Sequence, residues 1–259
     1  MKFYQVDSFT DELFKGNPAG VCLIDGDSWL DDSLMQNISM ENNLSETAFV
    51  LNKGGKHHIR WFTPTVEVPL CGHATLASAH ILLESDGEIT FHAGEMQLSV
   101  TRTGDMLTLD FPIDKIWQLE LNDMLDCFDF KPIEVWRGTE EYILVAETEE
   151  QVENAICNLP KAAKIDLAGI IITAPSSQSG IDYVSRYFAP KIGIDEDPVT
   201  GSNQCLLAPL WQGKLQKSEF TALQVSKRGG KLWVKIEGGR VKIGGHAVTY
   251  LNGELKIGT

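Results

Sequence analysis

Three short segments of this 259-residue chain carry the groups best suited to chemistry. In Asn43-Leu44-Ser45-Glu46-Thr47, a carboxylate stands at the junction of a helical and a strand pattern, where a polar side chain can point into a cleft. Burial or a neighbouring acid would raise the pKa of Glu46 and let it carry a proton; a solvated surface glutamate is the plainer alternative. In Pro69-Leu70-Cys71-Gly72-His73-Ala74-Thr75, Gly72 permits close backbone approach, and a helix start there leaves the amides of His73, Ala74 and Thr75 unpaired. Those amides suit a substrate carboxylate, and His73 can donate or accept a hydrogen bond. Cys71 reads either as a structural thiol or as a nucleophile. In Asp195-Glu196-Asp197-Pro198-Val199-Thr200-Gly201-Ser202, three acids precede a second predicted helix start, where negative charge is favoured. By pattern alone the acids read as a solvated turn. An acid brought close to Glu46 would split the two pKa values into an acid/base pair.

These segments sit inside an internal repeat. Arg60-Trp61-Phe62-Thr63-Pro64 runs through a spacer into Pro69-Leu70-Cys71-Gly72, and Arg186-Tyr187-Phe188-Ala189-Pro190 runs into Pro198-Val199-Thr200-Gly201. Each copy is Arg-aromatic-Phe-small-Pro, a spacer, then Pro-x-x-Gly entering a helix. Two related halves follow, expected at 1–113 and 114–259, with the final strand packing back on the first half. Arg60 and Arg186 can bind a carboxylate or brace the loops, and bracing is the preferred reading.

The surrounding pattern is α+β, with many strands and one buried helix per half. Strands are expected at 2–9, 21–24, 47–51 and 58–63, with 14–20 as turn. Short alternating strands then run over 88–111, broken at Gly94 and Gly104. Ser28 or Asp31 can cap a helix carrying Leu30, Leu34 and Ile38 and stopping at Asn42-Asn43. Residues 74–83, rich in small side chains, predict a buried central helix, and 202–211 a second one. Between the halves, 112–131 is less regular. Strands are expected at 134–145 and 168–173, an amphipathic helix at 149–159 and a hairpin at Gly238-Gly239.

Composition excludes several classes. A net charge of −14 and a pI near 4.8 speak against nucleic acid and anionic membrane surfaces. Residues 1–7 lack the apolar core of a secretion signal, no run is long enough to span a bilayer and the five scattered cysteines form no C-x-x-C, so a cytoplasmic protein without a zinc site is expected. The nucleotide-binding, serine-hydrolase and zinc-protease motifs are absent.

The chain resembles the phenazine-biosynthesis PhzF-like family of isomerases, which share the diaminopimelate epimerase fold. The resemblance rests on Val6-Asp7-Ser8-Phe9-Thr10, Gly16-Asn17-Pro18-Ala19-Gly20, Leu44-Ser45-Glu46-Thr47, Phe62-Thr63-Pro64, Cys71-Gly72-His73-Ala74-Thr75, Asp197-Pro198-Val199-Thr200-Gly201-Ser202, Arg228-Gly229-Gly230 and Gly244-Gly245. It implies two similar domains, each a strand-rich barrel around a central helix, with the active site between them. It implies Glu46, His73 and Asp197 as catalytic residues and Gly72, Gly201 and Ser202 as substrate-binding residues. It further implies no cofactor, no metal, a homodimer and a small anionic metabolite as substrate.

Two departures stand out. Many relatives carry histidine two places after the serine, where this chain has Gln204 after Asn203. Cys71 matches the first catalytic cysteine of the epimerase and proline racemase relatives, but their second has no counterpart. The leading expectation is an isomerase that moves a proton through Glu46. The rivals are a thiol-dependent epimerase, racemase or hydrolase using Cys71, and a non-catalytic binding protein.

Overall fold

Alternating aromatic and β-branched residues at the start of the chain form strand β1 (Lys2–Ser8), antiparallel to β2 (Asn17–Ile24), with Ser8 opposite Asn17. The computed structural model describes residues 1–121 and 126–257. They divide into two compact units, Met1–Asp110 with Gly244–Thr259, and Phe111–Ile243. The irregular stretch expected at 112–131 is described except for 122–125, which lie outside the described residues.

In the first unit, helix α1 (Asp32–Asn42) crosses from β2 to the parallel strand β3 (Glu46–Lys53), placing Glu46 beside Ala19. Asp31 occupies the N-cap of α1 without a side-chain cap bond, and Asn43 ends the helix in a left-handed conformation. β3 pairs antiparallel with β4 (Lys56–Phe62), whose other edge takes β5 (Glu67–Val68) and, in parallel, β6 (Gly87–Ala93). β7 (Met96–Thr103) and β8 (Met106–Pro112) complete the meander. Helix α2 (Gly72–Leu82) packs on β1, β2 and β3, and Gly72 through Ala79 are all buried. Its small side chains let strands approach closely. Its two buried hydroxyls are satisfied within the helix, Thr75 Oγ1 donating to the Cys71 carbonyl and Ser78 Oγ to that of Ala74.

The second unit repeats this topology. β9 (Trp117–Leu119), β10 (Glu134–Arg137) and β11 (Glu141–Val145) pair antiparallel in turn, and β12 (Gly169–Pro175) runs parallel to β11. β13 (Tyr183–Ala189) is antiparallel to β12 and carries β14 (Ile194–Asp197) and the parallel strand β15 (Glu219–Gln224). The repeat is exact in register at its anchor: Thr47 pairs with Phe62 in the first unit, and Ile170 with Phe188 in the second. β16 (Gly230–Glu237) and β17 (Arg240–Gly245) form the expected hairpin, Gly238 and Gly239 both taking positive φ as a tight two-residue turn requires. β18 (Ala247–Glu254) returns to pair with β1.

Several boundaries differ from the sequence expectations. The turn expected at 14–20 ends at Gly16, because Asn17 already pairs with Ser8. The helix expected at 149–159 is split into α3 (Glu149–Asn154) and α4 (Leu159–Ala162), and Ile156 is exposed while Val152 is buried. Pro160 cannot continue a helical ladder, and a capping box at Thr148 and a side-chain cap at Asn158 start two short helices instead. The strand expected over 134–145 breaks at Gly138, whose N–H turns back to the Glu141 carbonyl. β13 and β15 were not anticipated, whereas β18 is the final strand expected to pack back on the first half. Helix α5 spans Gln204–Leu215, starting two residues later and ending four residues later than expected. Pro209 inside it removes the donor for the Cys205 carbonyl, which accepts from the Asp114 N–H instead.

Both arginines of the repeat brace loops. Arg60 binds Glu67 through two nitrogens and reaches Asp32, with its guanidinium 5.2 Å from the Phe62 ring. Arg186 binds Glu196 in the same way, donates to the carbonyls of Val152, Glu153 and Ala155, and lies 4.9 Å from Phe188. The same fork, spent twice on the same kind of partner, ties each strand to the segment that leads into a helix.

Candidate active site

Strand alternation aims Glu46. In β3, Phe49 and Leu51 face the core packed under α1, so Glu46, in phase with Ala48 and Val50, points to the other face, toward α2. There the Glu46 carboxylate Oε2 lies 3.3 Å from His73 Nε2, and both residues are buried. The opposite ring nitrogen, Nδ1, lies 3.2 Å from Asn17 Nδ2 and 3.4 Å from Cys71 Sγ. Ser8 Oγ donates to the His73 carbonyl at 2.8 Å. His73 is thus held from four chain segments: the end of β1, the start of β2, the start of β3 and the head of α2.

Glycine makes this convergence possible at one point. Gly16 has φ +63°, and a Cβ there would stand 2.2 Å from the Ser8 carbonyl oxygen. Only glycine lets the loop close onto β1 and deliver Asn17 opposite Ser8.

Burial pushes the pKa of His73 down to about 3, so the imidazole is neutral at physiological pH. A neutral ring has one donor and one acceptor nitrogen. Asn17 Nδ2 can only donate, so Nδ1 accepts and the ring proton is on Nε2, facing Glu46. A proton on Nε2 therefore faces the Glu46 carboxylate across 3.3 Å, a close contact and not a formed hydrogen bond, and the ring does not itself titrate near pH 7.

Cys71 occupies the N-cap of α2. The Thr75 N–H already bonds the Cys71 carbonyl, which corrects the expectation that it is open; the amides without an intrahelical partner are those of Gly72, His73 and Ala74. They add the positive end of a helix dipole to the same locality, a setting for an anionic group.

Glu46, Cys71 and His73 also form the one group among the described residues whose ligand atoms lie close enough together to hold a metal ion, within 4.8 Å of one another. Carboxylate and thiol face opposite nitrogens of one ring, and a single ion cannot take both nitrogens.

Asp197, Gly201 and Ser202 belong to the second unit. Asp197 ends β14 and is buried, so the run of three acids is a short strand and not a solvated turn. Its Oδ2 accepts from Thr200 Oγ1. Gln224, also buried, donates to the Asp197 carbonyl at 2.7 Å and accepts from the Thr200 N–H at 2.9 Å. Gly201 and Ser202 lie in the turn ahead of α5, their carbonyls accepting from Gln204 N and Cys205 N. Gln204 is fully buried, and its Oε1 accepts from the Tyr183 hydroxyl at 2.6 Å, with Tyr183 stacked on Trp211. The departure at position 204 is thus a polar contact inside this unit's core.

Sequence reasoning assigned no role to Ser8, Asn17, Thr200 or Gln224. Asn17 had a signal, since it stands in the matching segment Gly16-Asn17-Pro18; Gln224 had none.

Comparison with known proteins agrees with this architecture. Residues 6–253 match the model of the PhzC-PhzF family, described as phenazine biosynthesis-like protein. The chain is 44% identical over 262 residues to a protein of Pseudomonas aeruginosa named an uncharacterized isomerase, covering 99% of each. A PhzF-family crystal structure from Enterococcus faecalis superposes with a TM-score of 0.93 at 38% identity, over 99% of both chains. A probable proline racemase from Agrobacterium radiobacter superposes with a TM-score of 0.66 at 10% identity, over 99% of this chain and 93% of that one, a likeness of fold alone.

Proposed function

The chain belongs to the PhzC-PhzF family, and from that premise we propose that it is an isomerase that moves a proton within a small carboxylate-bearing metabolite, with Glu46 as the proton carrier. The observation that carries this reading is the buried Glu46 carboxylate 3.3 Å from the Nε2 of a neutral His73, at the head of α2.

The chemistry follows from the protonation states. Glu46 takes a proton from a carbon acidified by an adjacent carbonyl or double bond, and becomes a carboxylic acid as the electron pair delocalises into that system. It then returns the proton to a second carbon on the same face. The Nε2 proton of His73 faces one carboxylate oxygen at 3.3 Å and orients the group. Because burial disfavours imidazolium, His73 does not compete for the proton. The open amides of Gly72, His73 and Ala74 suit a substrate carboxylate or the oxygen on which charge develops. The reading extends to Asp197, Gly201 and Ser202 as substrate-facing groups and to a homodimer in solution. That relatives at 40–44% identity are named isomerases supports the reaction class.

A panel of small unsaturated and α-carbonyl carboxylic acids, incubated with the enzyme in heavy water and followed by proton NMR, tests the reading. A substrate loses a C–H signal and gains the signals of its isomer. Glu46→Gln should lower that rate by at least about 10²-fold, the lower end of what a positioned acid/base contributes. Normal turnover in Glu46→Gln refutes the assignment.

A further inference from the structure

The proton transfer described above makes no use of Cys71, yet its sulfur lies 3.4 Å from His73 Nδ1, on the edge of the ring away from Glu46. We infer that Cys71 is a positioning residue whose S–H, together with the Asn17 amide, donates to Nδ1 and holds His73 in the tautomer that faces Glu46 with Nε2–H. The inference rests on the reading of Glu46 as the proton carrier for its catalytic importance, although its structural content stands apart from any substrate.

Three observations converge on it. The Cys71 side chain makes no cap hydrogen bond to α2, and its sulfur lies within hydrogen-bond range of His73 Nδ1. Asn17 Nδ2 is a donor at 3.2 Å from the same nitrogen, which makes Nδ1 an acceptor and the neighbouring thiol a donor. Burial keeps the ring neutral, so a proton on Nδ1 would leave Nε2 bare.

The alternative tautomer is costly for Glu46. With the proton on Nδ1, two N–H groups would meet at Asn17, and the Nε2 lone pair would face the Glu46 carboxylate across 3.3 Å. An acceptor set against an anion in a buried site gains repulsion and offers no donor to it. Two donors on Nδ1 act against this outcome, and each is within two residues of a strand end or helix start that the fold already fixes. The thiol therefore works through the imidazole and orients the carboxylate without touching substrate, a role distinct from a nucleophilic cysteine.

The test reads tautomers directly. Histidine-specific ¹⁵N labelling and long-range proton–nitrogen NMR at neutral pH are applied to the wild-type protein, Cys71→Ser and Cys71→Ala. No substrate is needed, so the result is independent of whether Glu46 performs the chemistry. The wild type should show His73 with Nε2 protonated and Nδ1 bare. Cys71→Ser keeps an O–H donor and should match it. Cys71→Ala should shift the tautomer ratio toward Nδ1–H by roughly two- to tenfold, the equivalent of one net hydrogen bond. Protonated Nδ1 in the wild type overturns the inference, as does an alanine spectrum identical to wild type. If the alanine protein does not fold, the wild-type and serine spectra still decide, because Nδ1–H in either one contradicts a thiol donor.

Discussion

Acid should unfold this protein partly through one ring. His73 is held neutral in the folded state down to about pH 3, while the same imidazole in the unfolded chain takes up a proton below its ordinary 6.5. Between those values the unfolded state binds more protons, so stability rises with pH across the window and falls as the solution is acidified. Each pH unit inside the window costs about 1.4 kcal/mol. Over the upper part, from 6.5 to 4.5, that amounts to roughly 3 kcal/mol, before most carboxylates begin to titrate. Other groups add their own slopes: His57, His58 and His80 are also pushed down by burial, and Glu141 is pushed up to about 7 by burial beside Asp114 and Glu140. A difference measurement removes them. Urea unfolding of the wild type and His73→Gln at intervals from pH 7 to pH 4.5 gives two stability curves. The glutamine protein lacks the titrating ring but keeps an N–H donor for Glu46, so its curve should be flatter by about 1.4 kcal/mol per pH unit below 6.5. Parallel curves would mean that His73 is protonated in the folded protein near neutrality, and the assignment of a neutral donor to Glu46 would fail with it.

Gly16→Ala should destabilise the protein by roughly 2–4 kcal/mol in urea unfolding, since it adds left-handed strain to a Cβ placed 2.2 Å from the Ser8 carbonyl oxygen. It should also reduce turnover of any substrate found, because Ser8 and Asn17 both hold His73. The twin arginines should differ in weight. Arg186→Ala leaves Glu196 and three backbone carbonyls without their donor at a largely buried site and should cost roughly 3 kcal/mol. Arg60→Ala, whose partners Asp32 and Glu67 are 78% and 42% exposed, should cost about 1 kcal/mol. Equal losses in thermal or urea unfolding would show that the two copies of the brace are energetically alike.

What could be read in the chain beforehand, and what could not, divides along sequence distance. Local rules reached α2, whose small residues announce a buried helix, and the Gly238-Gly239 turn, whose two positive φ angles only glycine takes easily. They also contained more than was drawn from them: Arg186-Tyr187-Phe188 copies Arg60-Trp61-Phe62, so the strand read around 58–63 already implied β13 at Tyr183–Ala189. The acids at 195–197 misled because their charge argues for solvent, whereas pairing of Asp197 with Tyr187 and the Arg186–Glu196 bridge take them into a sheet. The surroundings of His73 follow a different logic. Residues 17, 46 and 71 reach one imidazole, and Ser8 the backbone carbonyl of the same residue, only because β1 and β2 pair with Ser8 opposite Asn17, and β2 and β3 pair with Ala19 opposite Glu46. A slip of one residue in either pairing would turn Asn17 or Glu46 to the other face. The register is itself held by apolar residues that take no part in the chemistry, such as Cys22, Phe49 and Leu51 packed together under α1. Glu46 could therefore be named from its segment, but the imidazole it faces and that ring's tautomer are properties of the sheet register, and a change in the core beneath β2 and β3 should disturb the site as surely as a change within it.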